Sequence, residues 1–402
     1  MGSGFRDGWE VLEFGDLGKV SMCKRILKKQ TSDTGDIPFY KIGTFGKTSN
    51  AFISKELYDE YRSKYSFPKK GDILISASGT IGRRVIYNGK PAYFQDSNIV
   101  WIDNNEEIVL NKYLYLFYGY CDWNPSKGAT ISRLYNSDLR AIKISFPKSL
   151  EEQEKIVALL DEAFLAIDKA KVNAELNLQN AKELFESYLQ GVFENRGEGW
   201  EEKSLKDITT KIGSGATPRG GKSSYKEEGL SLVRSMNVHD FEFRMKNLAF
   251  IDDVQAEKLS NVSLQKEDIL LNITGASIAR CCMIPKQYLP ARVNQHVSII
   301  RANKEIINPL FLSSLLTSKF YKKQILEIGE QGATRQAITK VQLENFIITF
   351  PKTIDGQKQI VKKLNALQDQ TKKLESIYTQ KLTDLEELKK SILQKAFSGE
   401  LL

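Results

Sequence analysis

The chain has 402 residues, which is enough for two domains that each bury a core. Its net charge of +8 and pI of about 9.0 favour an anionic partner, with nucleic acid as the first candidate. The four cysteines lack the spacing of a zinc site, so we expect them to be small core residues in a reducing compartment. No apolar run approaches the roughly 20 residues needed to cross a bilayer, and the start does not resemble a signal peptide. We therefore expect a cytoplasmic protein without a membrane partner.

The first predicted domain, residues 1–150, mixes strand-like runs with turns. Ile73–Ala77 is a β-rich run bounded by Gly-Asp and Ser-Gly, and Ile142–Phe146 is a further strand. Tyr113–Tyr118 has a helical pattern. The domain carries 22 basic and 16 acidic residues. These features predict a basic α+β globule and leave its sheet order open.

Residues 151–193 predict one long helix. The stretch lacks proline, and its apolar residues recur with the 4-3 spacing typical of a coiled-coil seam. It carries nine acidic and four basic residues. At about 1.5 Å per residue, such a helix is roughly 60 Å long. The seam residues that we assign to a partner interface are Ile156, Leu160, Ile167 and Leu184.

Residues 194–353 repeat the first domain. Gly71–Leu74 recurs as Glu267–Leu270 at an offset of 196, and Ile144–Pro147 recurs as Ile348–Pro351 at an offset of 204. Chance similarity does not hold one register over such a distance, so the pattern indicates a tandem duplication. The repeat carries 23 basic and 18 acidic residues, which predicts a second basic α+β globule.

Residues 354–397 predict the second long helix, and residues 398–402 form a C-terminal tail. This helix has the same seam spacing, but with six acidic and nine basic residues. Opposite net charges favour pairing of the two helices with each other, and we predict an antiparallel coiled coil that sets the distance between the globules. Its partner-interface candidates are Ile360, Leu364, Leu367, Leu374, Leu385 and Leu388.

Several motifs, in this duplicated order, resemble the specificity subunits of type I restriction-modification systems. Gly213–Pro218 and Leu232–Asn237 look like the opening of a target-recognition domain, and Gly71–Ser76 resembles its central strand. Asn180–Ser187 resembles the first conserved helix of the family, and Leu393–Leu401 resembles its C-terminus. The resemblance covers nearly the whole chain.

The resemblance implies two target-recognition domains, each followed by a conserved helix, and no catalytic site. Such subunits bind a bipartite, asymmetric sequence in double-stranded DNA, one domain per half, with an unread spacer between. Their helices dock two modification subunits, which transfer a methyl group from S-adenosylmethionine to adenine. A restriction subunit, when present, uses ATP and magnesium for translocation and cleavage. The first copy departs from the family pattern at Lys19–Lys29, which lacks a Gly-Thr-Pro-like turn.

Direct readout of base edges requires side chains with donors and acceptors, chiefly Arg, Lys, Asn, Gln, Ser and Thr. Such residues lie on predicted turns or strand ends of both copies, and a glycine-rich loop in the second copy adds donors suited to phosphates. The first-copy candidates are Lys41, Ser76, Ser78, Thr80, Arg83, Arg84, Lys127, Thr130, Ser132 and Arg133. The second-copy candidates are Arg219, Lys222, Ser223, Arg234, Asn272, Thr274, Ser277, Arg280, Gln331, Thr334, Arg335 and Gln336.

The residues alone leave two other classes of function open. One is a stand-alone DNA methyltransferase or nuclease, although Asn308–Leu310 departs from the Asn-Pro-Pro-Tyr motif of adenine methylation. Ala216–Ser223 fits a phosphate-binding loop only loosely, because Pro218 interrupts it. The other class is a coiled-coil scaffold without sequence-specific DNA binding, in which the candidate side chains are solvated loop residues.

Overall fold

The structure of the protein is a computed structural model. It describes residues 7–123, 133–330 and 337–401. None of the helices in these ranges combines the length and the apolar content that a bilayer span requires.

Contacts divide the chain into two compact units. The first unit comprises Met1–Ala174 and Gln380–Leu402, and the second comprises Glu175–Thr379. Each unit therefore contains one predicted globule together with parts of both long helices.

The first unit is an α+β globule followed by the start of a 45-residue helix. Its elements in chain order are β1 (Trp9–Glu13), α1 (Phe14–Leu17), β2 (Gly18–Ser21), β3 (Ile37–Tyr40), β4 (Phe52–Ile53), α2 (Lys55–Lys64), β5 (Ile73–Ser76), β6 (Arg84–Ile86), β7 (Tyr93–Phe94), β8 (Ile99–Asn104), α3 (Asn111–Tyr118), α4 (Asn136–Arg140), β9 (Lys143–Pro147) and α5 (Leu150–Glu194).

Three sheets organise this globule. The central sheet has the order β2-β8-β5-β6 and is antiparallel, a second sheet has the order β4-β3-β7, and β1 pairs with β9. Ile73 and Ile75 of β5 enter one apolar core, whereas Leu74 enters another. Successive side chains of a strand point to opposite faces, so a strand between two cores has a continuous apolar sequence. This explains why β5 was recognisable from the sequence.

The second unit repeats this architecture. Its elements are β10 (Trp200–Ser204), α6 (Leu205–Ile208), β11 (Thr209–Ser214), β12 (Leu230–Val233), β13 (Val238–His239), β14 (Glu242–Phe243), β15 (Ala249–Ile251), α7 (Asp253–Glu257), β16 (Ile269–Asn272), β17 (Cys281–Met283), β18 (Ala291–Val293), β19 (Val297–Ala302), α8 (Pro309–Thr317), α9 (Lys319–Glu330), α10 (Lys340–Glu344), β20 (Ile347–Pro351) and α11 (Ile354–Ser398).

Strand order confirms the duplication. The sheets β11-β19-β16-β17, β15-β12-β18 and β10-β20 match those of the first unit strand for strand. The strand β16 again divides its residues between two cores, because Ile269 and Leu271 face one and Leu270 the other. The hairpin β13–β14 and the helix α9 have no counterpart among the described residues of the first unit. The predicted α+β class and both long helices are confirmed.

Two ion pairs establish the antiparallel direction of the long helices within the first unit. Lys171 Nζ lies 2.6 Å from Glu386 Oε1, and Lys389 Nζ lies 3.4 Å from Asp168 Oδ1. Residue numbers rise along α5 while those of the partners on α11 fall. The predicted antiparallel pairing is therefore confirmed in this unit.

The last turn of each long helix closes the core of a globule. Phe397 of α11 is buried in the first unit, with ring centroids 5.3 Å from Tyr113 and 5.1 Å from Phe117. Phe193 of α5 is buried in the second unit, 5.5 Å from Phe311. The C-terminus of the chain thus completes the core of the N-terminal globule.

The first turn of each long helix is tied to its globule by a buried glutamine. Gln153 is fully buried; its amide nitrogen donates to the carbonyls of Ile108 and Pro147, and its oxygen accepts from the Leu110 N–H. Gln357 makes the same three bonds in the second unit. Because buried polar groups are costly when unpaired, each glutamine fixes the entry of its helix.

The helix seam differs from its prediction at three positions. Leu184, Leu374 and Leu388 are exposed by 49%, 36% and 46%, so their assignment to the seam was wrong. Lys389 occupies the seam beside Leu388, with Nζ 4.7 Å from the ring centroid of Phe164. A lysine packs its aliphatic stem in such a place, and a purely apolar pattern misses it.

The other predicted seam residues are buried or half-buried, and the first two on each helix pack within or against the core of a globule. The buried or half-buried seam residues are Ile156, Leu160, Ile167, Ile360, Leu364, Leu367 and Leu385. As contacts to a partner protein, all ten candidates remain a prediction.

Candidate nucleic-acid interface

In the first unit, polar loops meet at one end of the central sheet. Because β5 and β8 are antiparallel, the residues after β5 lie beside those before β8. The Ala77 N–H donates to the Asn98 carbonyl over 2.8 Å, and Ser78 forms a β-bridge with Arg133. The Ser78 hydroxyl donates to Asn98 Oδ1 over 2.7 Å. We call these loops the first loop cluster.

A cavity of about 290 Å³ adjoins the first loop cluster. Lys41, Gln95, Asp96 and Asn98 line it together with Arg25. Gln95 Oε1 accepts from the Ile42 N–H over 2.9 Å, and Arg25 Nε donates to Asp96 over 2.9 Å. The Arg25 side chain is 69% exposed, so its charge faces solvent. The cavity therefore combines a fixed amide with exposed cations.

The second unit has the same arrangement, which we call the second loop cluster. The Ile273 N–H donates to the His296 carbonyl over 3.0 Å, and Thr274 forms a β-bridge with Ala337. Thr274 Oγ1 lies 2.6 Å from His296 Nδ1. The geometry of Ser78 and Asn98 thus recurs, but with different side chains.

Three predicted DNA contacts are buried: Ser78 has 8% exposure and donates its hydroxyl to Asn98, and the other two were wrong. Ser76 and Asn272, the last residues of β5 and β16, have 0% exposure. The Ser76 hydroxyl donates to the Thr80 carbonyl and accepts from the Arg83 N–H, and the Asn272 amide donates to the Ser235 carbonyl. Both side chains hold loops in place and cannot reach a base.

Four predicted arginines are engaged with the protein, and one of them, Arg133, donates to a backbone carbonyl over 3.3 Å. Arg83 donates to a backbone carbonyl over 2.9 Å. The Arg84 guanidinium lies 4.4 Å from the ring centroid of Tyr115, and that of Arg234 lies 5.1 Å from the ring centroid of Tyr225. A cation held against an aromatic face is less available to a phosphate than an extended one.

Other candidates remain accessible. The exposed ones are Lys41, Thr80, Arg219, Lys222 and Ser223. The half-buried ones are Thr274, Ser277 and Arg280. The candidates Lys127, Thr130, Ser132, Gln331, Thr334, Arg335 and Gln336 lie outside the described residues.

Sequence reasoning missed several polar side chains of these clusters. They are Gln95 and Asn98 in the first unit, and Gln295 and His296 in the second. Asn98, Gln295 and His296 directly precede β8 or β19, and Gln95 directly follows β7; neither position has a local sequence signal of its own. A comparison of the two copies at their strand starts could have singled out Asn98 and His296.

The described residues contain no feature that suggests metal or thiol chemistry. In residues 7–123, 133–330 and 337–401, no group of three His, Cys, Asp or Glu side chains could hold a metal ion. Burial raises the pKa of the Cys23 and Cys282 thiols to about 12, which keeps both protonated at neutral pH.

Comparison with known proteins assigns the family. The sequence model described as "Type I restriction modification DNA specificity domain" matches residues 6–178 and 197–384. The chain belongs to this family. The two matches correspond to the two copies of the duplication, as the resemblance in the sequence implied.

Two curated relatives carry the name of type I restriction enzyme specificity subunits. S.HindORF215P of Haemophilus influenzae is 57% identical over 179 residues, which are 44% of this chain and 46% of that protein. The EcoBI subunit of Escherichia coli is 27% identical over 175 residues, which are 44% of this chain and 36% of that protein. The chain thus matches less than half the length of each.

A solved structure shares the fold over the whole chain. It is described as the "structural basis underlying complex assembly and conformational transition of the type I R-M system". The TM-score is 0.75 at 18% identity, and the alignment covers 100% of both chains. At this identity the likeness concerns the fold.

Proposed function

We propose that this chain is the DNA-recognition subunit of a type I restriction-modification complex and that it carries no catalytic site of its own. The duplicated loop cluster supports this most directly. One sheet end holds Asn98, which is bonded to the buried Ser78, in the first unit, and Thr274 and His296 in the second. Two similar clusters with different side chains would read a bipartite, asymmetric sequence in double-stranded DNA.

The chemistry of the clusters suits both parts of such recognition. Exposed cations, among them Arg25, Lys41, Arg219 and Lys222, would pair with phosphates and supply affinity that falls with salt. Amide and hydroxyl groups would donate to and accept from base edges, which supplies sequence selectivity.

Catalysis in this proposal belongs to partner proteins. Two modification subunits would hold S-adenosylmethionine and methylate adenine, and a restriction subunit would use ATP and magnesium. The long helices keep exposed apolar side chains, including Leu184, Leu374 and Leu388, which a docked subunit would cover.

A domain exchange tests the proposal. Residues 1–150 are replaced by the corresponding domain of another family member, and methylated adenines are mapped across a genome. We expect only one half of the methylated sequence to change, and exchange of residues 194–353 should change only the other half. If both halves changed together, or neither did, the modular recognition would be refuted.

Two biochemical outcomes would favour the other classes of function. Methyl transfer by the purified chain alone, or cleavage with magnesium alone, would indicate a stand-alone enzyme. Binding of the assembled complex to DNA without any sequence preference would indicate a scaffold.

A further inference from the structure

The second loop cluster contains a chain of four hydrogen-bonded side chains. The Thr217 hydroxyl donates to Gln295 Oε1, and Gln295 Nε2 lies 3.1 Å from His296 Nε2. His296 Nδ1 lies 2.6 Å from Thr274 Oγ1. Thr217 follows β11, Gln295 and His296 precede β19, and Thr274 follows β16. The four side chains therefore come from three separate loops.

The donor and acceptor roles along this chain follow from the chemistry of the groups. An amide nitrogen only donates, so His296 Nε2 must accept from Gln295. The ring proton of a neutral imidazole then lies on Nδ1 and is donated to Thr274 Oγ1. Thr217 donates to the amide oxygen, which sets the orientation of the Gln295 amide at its other end. Both ends of the amide are thereby fixed.

The fixed amide still has hydrogen-bonding capacity on its outer side. Gln295 is exposed, and each polar atom of its amide makes one side-chain bond within the described part of the chain. One N–H and one oxygen lone pair therefore remain for a ligand. Adenine presents the complementary pair in the major groove, an acceptor at N7 and a donor at N6.

We propose that Gln295 reads an adenine in the half-site bound by the second unit, with Thr217, His296 and Thr274 as positioning residues. This inference rests on the proposed function and names the base that one side chain of that site selects. In the first unit the equivalent bond runs from Ser78 directly to Asn98, so the two units present their amides at different places. Because the amides lie at different places, the two units would read different base sequences in their half-sites.

The test measures base preference with the complete complex of this chain and its modification subunits. Probes are duplexes that carry the site found by methylation mapping, with each base pair of the second half-site replaced in turn. For the wild type we expect a strong preference for adenine at one position. Gln295→Ala should reduce that discrimination by about 5- to 150-fold and leave the other half-site unchanged.

Control variants separate readout from folding and from general affinity. Gln287→Ala removes another exposed glutamine of the same unit and should leave all preferences unchanged. Thr217→Val, which loses the hydroxyl donor, should weaken the adenine preference, whereas Thr217→Ser should retain it. A structural role alone would not change the preference at a single base pair.

The possible failures are distinguishable. If Gln295→Ala kept full discrimination at every position, or weakened binding to all duplexes equally as a phosphate contact would, the inference would be wrong while the proposed function stood. If the wild-type complex showed no sequence preference, the proposed function itself would fail.

Discussion

One aspartate occupies the same place in both units but has opposite surroundings. Asp72 and Asp268 stand directly before β5 and β16, are buried, and accept a backbone N–H over 2.7 Å. Arg301 pairs with Asp268 through two bonds of 2.7 Å. In the first unit the corresponding position of β8 holds Asp103. Burial, with a smaller contribution from Asp103, raises the pKa of Asp72.

These surroundings predict opposite effects of the same substitution. Asp268→Asn leaves the Arg301 guanidinium without its carboxylate. Removing one member of a buried pair costs about 3–5 kcal/mol, and the 21% exposure of the Arg301 side chain reduces this to about 2–4 kcal/mol. Asp72→Asn removes a carboxylate that is costly to ionise and keeps an oxygen acceptor, so stability at pH 7 should be unchanged or higher.

The pH dependence of Asp72→Asn has a definite sign. A carboxyl whose folded-state pKa is raised binds its proton more tightly in the folded state. The wild type should therefore lose stability, relative to Asp72→Asn, as the pH rises from the ordinary aspartate pKa through the raised one. Below this pH window residue 72 is neutral in both proteins, so the difference in stability between the wild type and Asp72→Asn should vanish.

Hydrogen exchange measured by mass spectrometry gives the local stability of each unit separately. Peptides that cover β5 and β16 report the opening free energy of each central strand. Asp268→Asn should lower protection only in the β16 peptide. If Asp72→Asn lowered protection in β5 by a similar amount, or Asp268→Asn cost less than about 1 kcal/mol, the electrostatic reasoning would be refuted.

Three further substitutions test the packing of the long helices. Phe397→Ala should cost the first unit about 3–5 kcal/mol and leave the second unit intact, as hydrogen exchange of each would show. Gln357→Ala leaves buried backbone groups unpaired and should destabilise the second unit by about 2–4 kcal/mol in denaturant titrations; a cost near zero would contradict its anchoring role. Leu160→Asp places a charge at a fully buried position and should disrupt helix pairing in gel filtration, whereas Leu165→Asp, at 73% exposure, should not.

The architecture was largely predictable because its signals are local or repeated. A strand between two cores, such as β5 or β16, is a short continuous apolar run, and a long helix shows its seam spacing over many turns. The duplication gave most elements a second occurrence; among the described residues the exceptions are β13, β14 and α9. Lys389 packs its aliphatic stem in the seam, and a pattern based on apolar residues alone assigns the neighbouring leucine to that position instead.

The sequence by itself determined the class of fold, the repeated order of elements and the family, since these depend on patterns along the chain. Only the tertiary structure decided which polar residues form the loop clusters. Ser78 and Asn98 meet because β5 and β8 pair in antiparallel register, and the Gln295 chain of bonds needs loops from three strands. The same pairing buries Ser76 and Asn272, whose residue types alone had suggested readout. Accessibility depends on distant parts of the chain, and no local pattern encodes it.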